Sequence, residues 1–444
     1  MHGTGGDYRV GAVGGEVPFL VPEHQIHKPM MMVFCKAGWR FRVAVLSACL
    51  VVAYSGGFAV GQTSEGTNAR PTAERTDDAL RAQAFRYFYN LDYDHAIPAF
   101  QKLLDRHPDD PNAVNHLLAA VMYRELYRMG LLNPSEYTND TFIVTPHRPA
   151  DPKVKQQIEA LVDRAQKLEE ERLRANPDDV NALYARGITR AQFSTYTGLV
   201  DRAWFSALRN AVGARHDHER VLELQPQYTD AKLVVGVHNY VTGSLPLAIK
   251  VAASMVGLGG NKQKGFDYLY EVAKDGRENQ TEARIALVLF LAREGRNDEA
   301  LAILRGLLPD YPENVILALE EGSLLRSLNR TSEAGEVYRK IWQAGREGKF
   351  GNEHYEFAAL NLGDLLRGQK DYVGAASAYE LVNQVAHADP EVLQKANLGA
   401  GEMYDQQQKR DLAVKKYDAV IAMNGSSGQA DTARKRLKEP YRAN

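Results

Sequence analysis

Small residues recur along this chain at a fixed interval, and this spacing constrains the fold more than any other feature. Ala300 and Ala334 stand thirty-four residues apart, and the same local frame recurs at Ala96, Ala375 and Ala413. Four positions after each of these alanines comes a bulkier residue: Phe100, Leu304, Tyr338, Tyr379 and Tyr417. Self-similarity with a period of roughly 20–50 residues is typical of repeat arrays. The chain is therefore expected to be a row of similar units.

Each unit is predicted to be a pair of short amphipathic helices, because apolar residues fall at intervals of three, four and seven. Twelve positions before four of the alanines stands another small residue: Ala84, Gly322, Gly363 and Gly401. Small residues at both places let two helices approach closely, and the bulky residue fills the gap that remains. Pro108 and Pro312 cannot continue a helix, so they mark the end of a second helix.

This frame resembles the tetratricopeptide repeat family, and five units keep it. Three further units fit the frame if insertions are allowed. In each of them residues of the first helix match residues of the second helix or its end: Leu117 and Val121 with Ala165 and Pro177, Gly187 with Pro226, and Gly236 with Gly265. The resemblance implies an all-α fold, an α-solenoid that winds as a right-handed superhelix of about eight helix pairs over residues 77–428. Residues 429–444 are expected to form a polar capping helix and a tail, as such arrays need at their ends.

Three segments interrupt the regular spacing and are predicted to be insertions. Residues 133–152 are rich in proline, residues 191–213 are rich in aromatic side chains, and residues 245–260 are apolar and end in glycines. Irregular segments on a regular scaffold often carry function. The functional surface is therefore expected near units two to four.

The N-terminal region reads as a secretory signal. Lys36, Arg40 and Arg42 precede nineteen uncharged residues, 43–61, and small residues stand at Ala59 and Gly61. Basic, apolar and small-residue segments in this order predict cleavage near Gly61. Residues 30–61 are then the signal peptide, residues 62–76 a polar linker, and the protein is periplasmic or secreted.

Two alternatives to cleavage near Gly61 stay open. The uncharged run is long enough for a membrane anchor, which would associate the protein with a membrane through residues 43–61. Residues 46–49 read Leu-Ser-Ala-Cys, which also fits a lipoprotein signal. Because signals normally begin a chain, Met30, Met31 or Met32 is the expected start, and residues 1–29 are expected to be a non-native or disordered extension.

Charge and motifs exclude several classes of function. The chain has 54 Lys and Arg against 56 Asp and Glu, so it carries no basic field for nucleic acid. Cys35 and Cys49 both precede the cleavage site, which leaves the mature chain without thiolate ligands. The triplet His216-Asp217-His218 is expected to be a solvated helix face, since neighbours two apart point away from each other. We expect no metal, no cofactor and no catalysis.

The concave groove is the remaining candidate site. The resemblance implies that the first helix of each pair lines this groove and that certain of its positions face a ligand. These positions place the following candidate partner-binding residues: Phe85, Phe88, Tyr89, Tyr123, Tyr127, Tyr184, Tyr240, Arg326 and Arg367. Aromatic side chains with a polar tip suit binding surfaces, but the same side chains are also suited to packing against the insertions. Both interpretations are open at this stage.

The sequence thus predicts a non-enzymatic, exported scaffold that binds a protein or peptide in its groove. The alternative is a periplasmic accessory of a solute transporter, with the apolar residues 245–260 lining a pocket for a small apolar molecule. The sequence does not determine the oligomeric state or the partner.

Overall fold

A computed structural model describes residues 72–132, 149–255, 259–351 and 354–443. The predicted N-terminal signal, the start methionine and most of the insertion at 133–152 lie outside these residues. Within them the chain forms α-helices and one short 3-10 turn, and no strand occurs. The model therefore shows the predicted all-α solenoid. In the same ranges, no helix is long and apolar enough to cross a membrane.

The described residues contain eighteen α-helices. The first six are α1 (Thr72–Tyr89), α2 (Tyr93–Arg106), α3 (Pro111–Arg128), α4 (Pro152–Ala175), α5 (Val180–Leu199) and α6 (Trp204–Leu224). The next six are α7 (Lys232–Gly243), α8 (Leu247–Met255), α9 (Lys262–Asp275), α10 (Gln280–Arg293), α11 (Asn297–Leu307) and α12 (Val315–Ser327). The last six are α13 (Thr331–Arg346), α14 (Glu356–Gly368), α15 (Tyr372–Val382), α16 (Pro390–Gln406), α17 (Arg410–Met423) and α18 (Gly428–Lys438).

These helices pack as the eight predicted pairs. Consecutive helices contact one another along the array, with α8 inserted between the two helices of unit four and α18 added after unit eight. The units are α1/α2, α3/α4, α5/α6, α7/α9, α10/α11, α12/α13, α14/α15 and α16/α17. Ala430 and Ala433 of α18 are fully buried against the last pair, so this helix caps the array.

In several units a glycine on the first helix leaves space for a ring from the second helix. A Cβ added at Gly322 would lie 2.3 Å from the Tyr338 ring, and one added at Gly363 would lie 2.5 Å from the Tyr379 ring. The absence of a side chain on the first helix makes room for the ring from the second. In unit three His218 takes the place of the tyrosine, and its imidazole lies where a Cβ of Gly187 would be.

The predicted insertion at 191–213 is mostly helical. Helix α5 continues to Leu199 and α6 begins at Trp204, so most of this range is helical. The range lacks proline, and its aromatic residues pack as part of longer helices; Tyr196, for example, is fully buried in the core of the first two units.

Residues 245–260 contain the extra helix α8. The side chains of Leu247 and Met255 are 77% and 84% exposed, so they point to solvent rather than into a cavity. The described side chains of this segment therefore do not support the pocket that the transporter-accessory alternative requires.

The array curls far enough that its first unit contacts units five and six. The Tyr89 hydroxyl donates a hydrogen bond to Glu282 of α10, and Asn314 Nδ2 donates to the Tyr89 carbonyl at 2.8 Å. The Glu313 amide donates to Asn90 Oδ1 at 2.9 Å. We call these five residues the closure contact. This contact joins positions about two hundred residues apart in the sequence. It holds unit one against units five and six, which reduces the space inside the curve.

Candidate functional site

Most of the predicted groove aromatics lie in the core. Tyr123, Tyr184 and Tyr240 are fully buried, and Phe88, Tyr89 and Tyr127 are at most 8% exposed. They pack against neighbouring units and across the closure contact. Except for Tyr127, treated below, these side chains do not present a surface to a partner, and the expectation that they do is corrected.

The contacts of these aromatics show why they are internal. Phe85 is half-buried and its ring lies 5.0 Å from that of Phe100 and 5.1 Å from that of His116. The Tyr184 hydroxyl accepts a hydrogen bond from Asn279 Nδ2 at 2.8 Å. The Tyr240 ring stacks on Phe290 at 3.9 Å. Each ring thus has its partners within the array.

Two predicted residues, Tyr127 and Arg326, meet at a pocket on the inner side of the curve. We call it the central pocket; its empty volume is about 570 Å³, which includes space open to solvent. It is lined by residues of α3 and its C-terminal turn, of α12 to α14 and of the turn before α14: Tyr127, Gly130, Leu132, Ile316, Leu319, Glu320, Ser323, Arg326, Tyr338, His354, Phe357 and Asn361.

Helix α12 supplies one wall because of its register. Ile316, Leu319, Glu320 and Ser323 are spaced by three, four and seven, so they share one face of the helix. The next unit contributes Phe357 and Asn361 from α14 at the positions that correspond to Ile316 and Glu320. The wall is therefore apolar at one end and polar at the other.

A buried hydroxyl of the central pocket lacks a hydrogen-bond partner. The Tyr379 hydroxyl donates to Asp364 at 2.6 Å, and the Tyr417 hydroxyl donates to Asp405 at 2.8 Å. Tyr338 occupies the same place in unit six and is fully buried, yet its hydroxyl bonds to none of the residues in the described ranges. Leaving a buried hydroxyl unpaired costs about 1–3 kcal/mol. The first helix of unit six has Ser323 and Arg326 where the other two units have these carboxylates.

Two charged groups stand beside this hydroxyl. The Arg326 side chain is exposed, and it forms no hydrogen bond or ion pair within the part of the chain that the structure describes. Burial raises the pKa of Glu320 to about 7, and the nearby Arg326 guanidinium partly opposes this rise. Near neutral pH the pocket therefore contains a free guanidinium and a carboxyl group that is only partly ionised.

Arg367 is not free in the groove. Its Nη2 lies 2.8 Å from Glu402 and donates to the Tyr441 hydroxyl at 2.9 Å. The sequence analysis treated Arg367 as a cation available to a partner, whereas the structure shows it bound to residues of its own chain.

The histidine triplet also differs from expectation. His216 is exposed, but Asp217 and His218 are buried. Asp217 pairs with Arg186 and Arg190 at 2.6 Å each, and burial lowers the pKa of His218 to about 4. A search of the described ranges finds no group of three His, Cys, Asp or Glu residues that could hold a metal ion.

Sequence reasoning missed several residues of the central pocket, chiefly Ile316, Leu319, His354, Phe357 and Asn361. A signal for two pairs was present. Ile316 and Phe357 occupy one position of consecutive units, and Glu320 and Asn361 occupy another. Comparing equivalent positions of neighbouring units would have found them.

Comparison with known families matches residues 285–348 to the tetratricopeptide repeat model. This match covers most of α10 together with α11 to α13, including the α12 wall of the central pocket. A comparison with curated proteins gives no match.

Matches among solved structures include PilF of Pseudomonas aeruginosa, with 18% identity and a TM-score of 0.33 over 56% of this chain and 99% of that one. They also include a human IFIT1 dimer with m7Gppp-AAAA, with 14% identity and a TM-score of 0.39 over 90% of this chain and 85% of that one. Yeast Tom70 has 12% identity and a TM-score of 0.25 over 82% of this chain and 95% of that one.

Proposed function

This chain is a tetratricopeptide repeat protein, and from that premise we propose that it is a non-enzymatic scaffold that binds a segment of a partner protein at the central pocket. The partner segment places an apolar side chain against Ile316 and Phe357. An acidic or carbonyl group of the same segment lies next to Arg326.

The unpartnered Tyr338 hydroxyl carries this proposal. The equivalent hydroxyls of Tyr379 and Tyr417 each donate to a carboxylate of their own unit, whereas Tyr338 lines the central pocket. A bound acceptor recovers the hydrogen bond that the folded chain lacks. The exposed Arg326 attracts the same kind of group, because a guanidinium forms strong hydrogen bonds with carboxylates.

Crosslinking in the native host tests the site. A photoreactive amino acid in place of Ser323 should capture a discrete partner protein, whereas the same amino acid at Arg339, which is exposed on α13 of the same unit, should not. The proposal is wrong if the two positions give the same products or if Ser323 gives none.

Substitution of Arg326 gives the first prediction. Arg326→Ala should weaken binding of the captured partner about tenfold or more, because a charge-assisted hydrogen bond contributes ~1.5–3 kcal/mol. Arg339→Ala is the matched control and should leave affinity unchanged. Titration of each purified variant with the partner measures the effect, and equal affinities of wild type and Arg326→Ala would contradict the assignment.

Export is a further part of the proposal. It is supported by the order of basic, apolar and small-residue segments over residues 36–61. Mass spectrometry of the native protein should find a mature chain that begins at Gln62. A peptide from residues 10–27 would refute the expected start, and retention of residues 43–61 in a membrane fraction would favour the anchor.

A further inference from the structure

The segment after α18 folds back onto the first helices of units seven and eight. The Tyr441 amide donates a hydrogen bond to Asp405 Oδ2 at 2.8 Å, and Gln406 Nε2 donates to the Tyr441 carbonyl at 2.8 Å. The Tyr441 hydroxyl accepts from Arg367 Nη2 at 2.9 Å. Both backbone groups and the side-chain tip of one residue are thus bound by side chains of the array.

Two guanidinium groups enclose the Tyr441 ring. The Arg367 and Arg436 guanidinium carbons lie 5.0 Å and 4.7 Å from its centre, a geometry that favours cation–π attraction. The buried Glu402 fixes both, through contacts of 2.8 Å to Arg367 and 3.0 Å to Arg436. We call Arg367, Asp405, Gln406 and Arg436 the tyrosine cage.

The cage lies on the same helical register as the central pocket. Arg367 occupies the place in α14 that Arg326 occupies in α12, and Asp405 occupies it in α16. The tyrosine cage therefore continues the inner face of the array one and two units beyond Arg326.

Tyr441 behaves as a bound residue more than as part of the core. Its side chain is half-buried at the edge of the main core, whereas Ala430 and Ala433 of α18 are fully buried. Side chains that bind the main-chain N–H and C=O of an extended residue, with a separate place for its ring, recur in peptide recognition.

We propose that the tyrosine cage is a binding subsite for an aromatic residue, with tyrosine as the fitted case, in an extended segment of a partner protein, and that Tyr441 occupies this subsite in cis. The proposal rests on the proposed function for the idea of a partner, but it uses different residues. Because a short tether holds Tyr441 at an effective concentration of about millimolar, a partner must displace it to bind.

A synthetic peptide with the sequence of residues 438–444 is the probe. Binding of the labelled peptide is measured by fluorescence anisotropy to the full chain and to its Tyr441→Ala variant, which removes the ring and the hydroxyl from the cage. The variant should bind the peptide at least tenfold more tightly than the wild type does. A peptide with alanine at the tyrosine position should bind neither protein.

Control variants separate this result from other causes. Arg442 is exposed, so Arg442→Ala should behave like wild type. A chain that ends at Lys438 should bind the probe like Tyr441→Ala. Arg326→Ala should not change binding of the probe, so failure here and failure at the central pocket are distinguishable.

Three results would overturn the inference. The folded Tyr441→Ala variant fails to bind the probe, or it binds the tyrosine and alanine peptides equally, or wild type binds as tightly as the variant. Loss of the circular dichroism of folded helix in both Tyr441→Ala and the shortened chain would also overturn it, because Tyr441 would then be a structural part of the array.

Discussion

Single residues decide how closely the two helices of a unit approach. Tyr379 is the clearest case, because it is enclosed by glycines on two neighbouring first helices. A Cβ at Gly363 would lie 2.5 Å from one edge of the ring, and a Cβ at Gly399 would lie 2.8 Å from the other. The Tyr379 hydroxyl is in addition bonded to Asp364. The two glycine contacts and the hydrogen bond together fix the position of the ring.

Gly363→Ala should destabilise the protein for this reason. We expect a loss of about 1–3 kcal/mol from overpacking, despite the better helix propensity of alanine. Gly306→Ala is the control, because no atom lies within 4 Å of its added Cβ, and it should stabilise by up to about 1 kcal/mol. Urea unfolding followed by circular dichroism measures both, and equal shifts in one direction would contradict the steric argument.

Whole helices begin where an aspartate accepts backbone hydrogen bonds. Asp110, Asp151 and Asp389 each cap a helix whose next residue is proline. Asp179 caps α5 by accepting from the amides of Asn181 and Ala182 at 3.0 and 3.1 Å. These caps satisfy amides that have no partner inside the helix. Asp110, Asp179 and Asp389 stand at the start of a unit, whereas Asp151 caps the second helix of unit two.

Asp179→Ala should therefore cost about 1 kcal/mol of stability, the usual loss of an N-cap. The adjacent Asp178 makes only an exposed ion pair with Arg220, so Asp178→Ala should cost little. Comparing the urea midpoints of the two variants checks the prediction. If Asp178→Ala lowers the stability as much as Asp179→Ala does, the N-cap hydrogen bonds of Asp179 are not the cause of the loss.

The closure contact acts at the scale of the whole molecule. A linear array has only neighbour interactions between its units, whereas here Tyr89 and Asn90 bond to residues of units five and six. The closure buries Glu282 completely, and burial raises the pKa of this carboxyl to about 8. The folded protein thus holds a proton on Glu282 at pH values where the unfolded chain has released it.

This shift predicts a pH dependence. Between pH 4.5 and about 8 the folded state binds the proton and the unfolded state does not, so the contribution of Glu282 to stability falls as pH rises. The slope is at most about 1.4 kcal/mol per pH unit. Glutamine keeps an acceptor for Tyr89 but does not titrate, so Glu282→Gln should gain stability relative to wild type from pH 5 to pH 7.5.

Urea unfolding at both pH values measures this difference. Burial also lowers the pKa of His218 and of His238, but both histidines are present in wild type and variant, so their effects cancel in the comparison. A difference that stays constant with pH would mean that Glu282 is ionised in the folded protein.

The sequence by itself determined the units. Spacings such as that from Gly363 to Tyr379 act between adjacent helices, and a proline or an aspartate cap acts within a few residues, so local chemistry was enough to predict eight pairs and the cap. At the candidate site the same reasoning found Tyr127 and Arg326, which line the central pocket.

Only the tertiary structure decided which inner-face residues stay open. Small rotations between successive units add up along the array, and their sum brings Tyr89 to Glu282 and Asn314, 193 and 225 residues away in sequence. A periodic pattern shows which residues share a helix face but not how far the curve closes. The tertiary fold alone likewise revealed that Tyr123, Tyr184 and Tyr240 belong to the core and that Tyr441 lies beside Arg367, because these contacts depend on how neighbouring units pack and on where the chain returns.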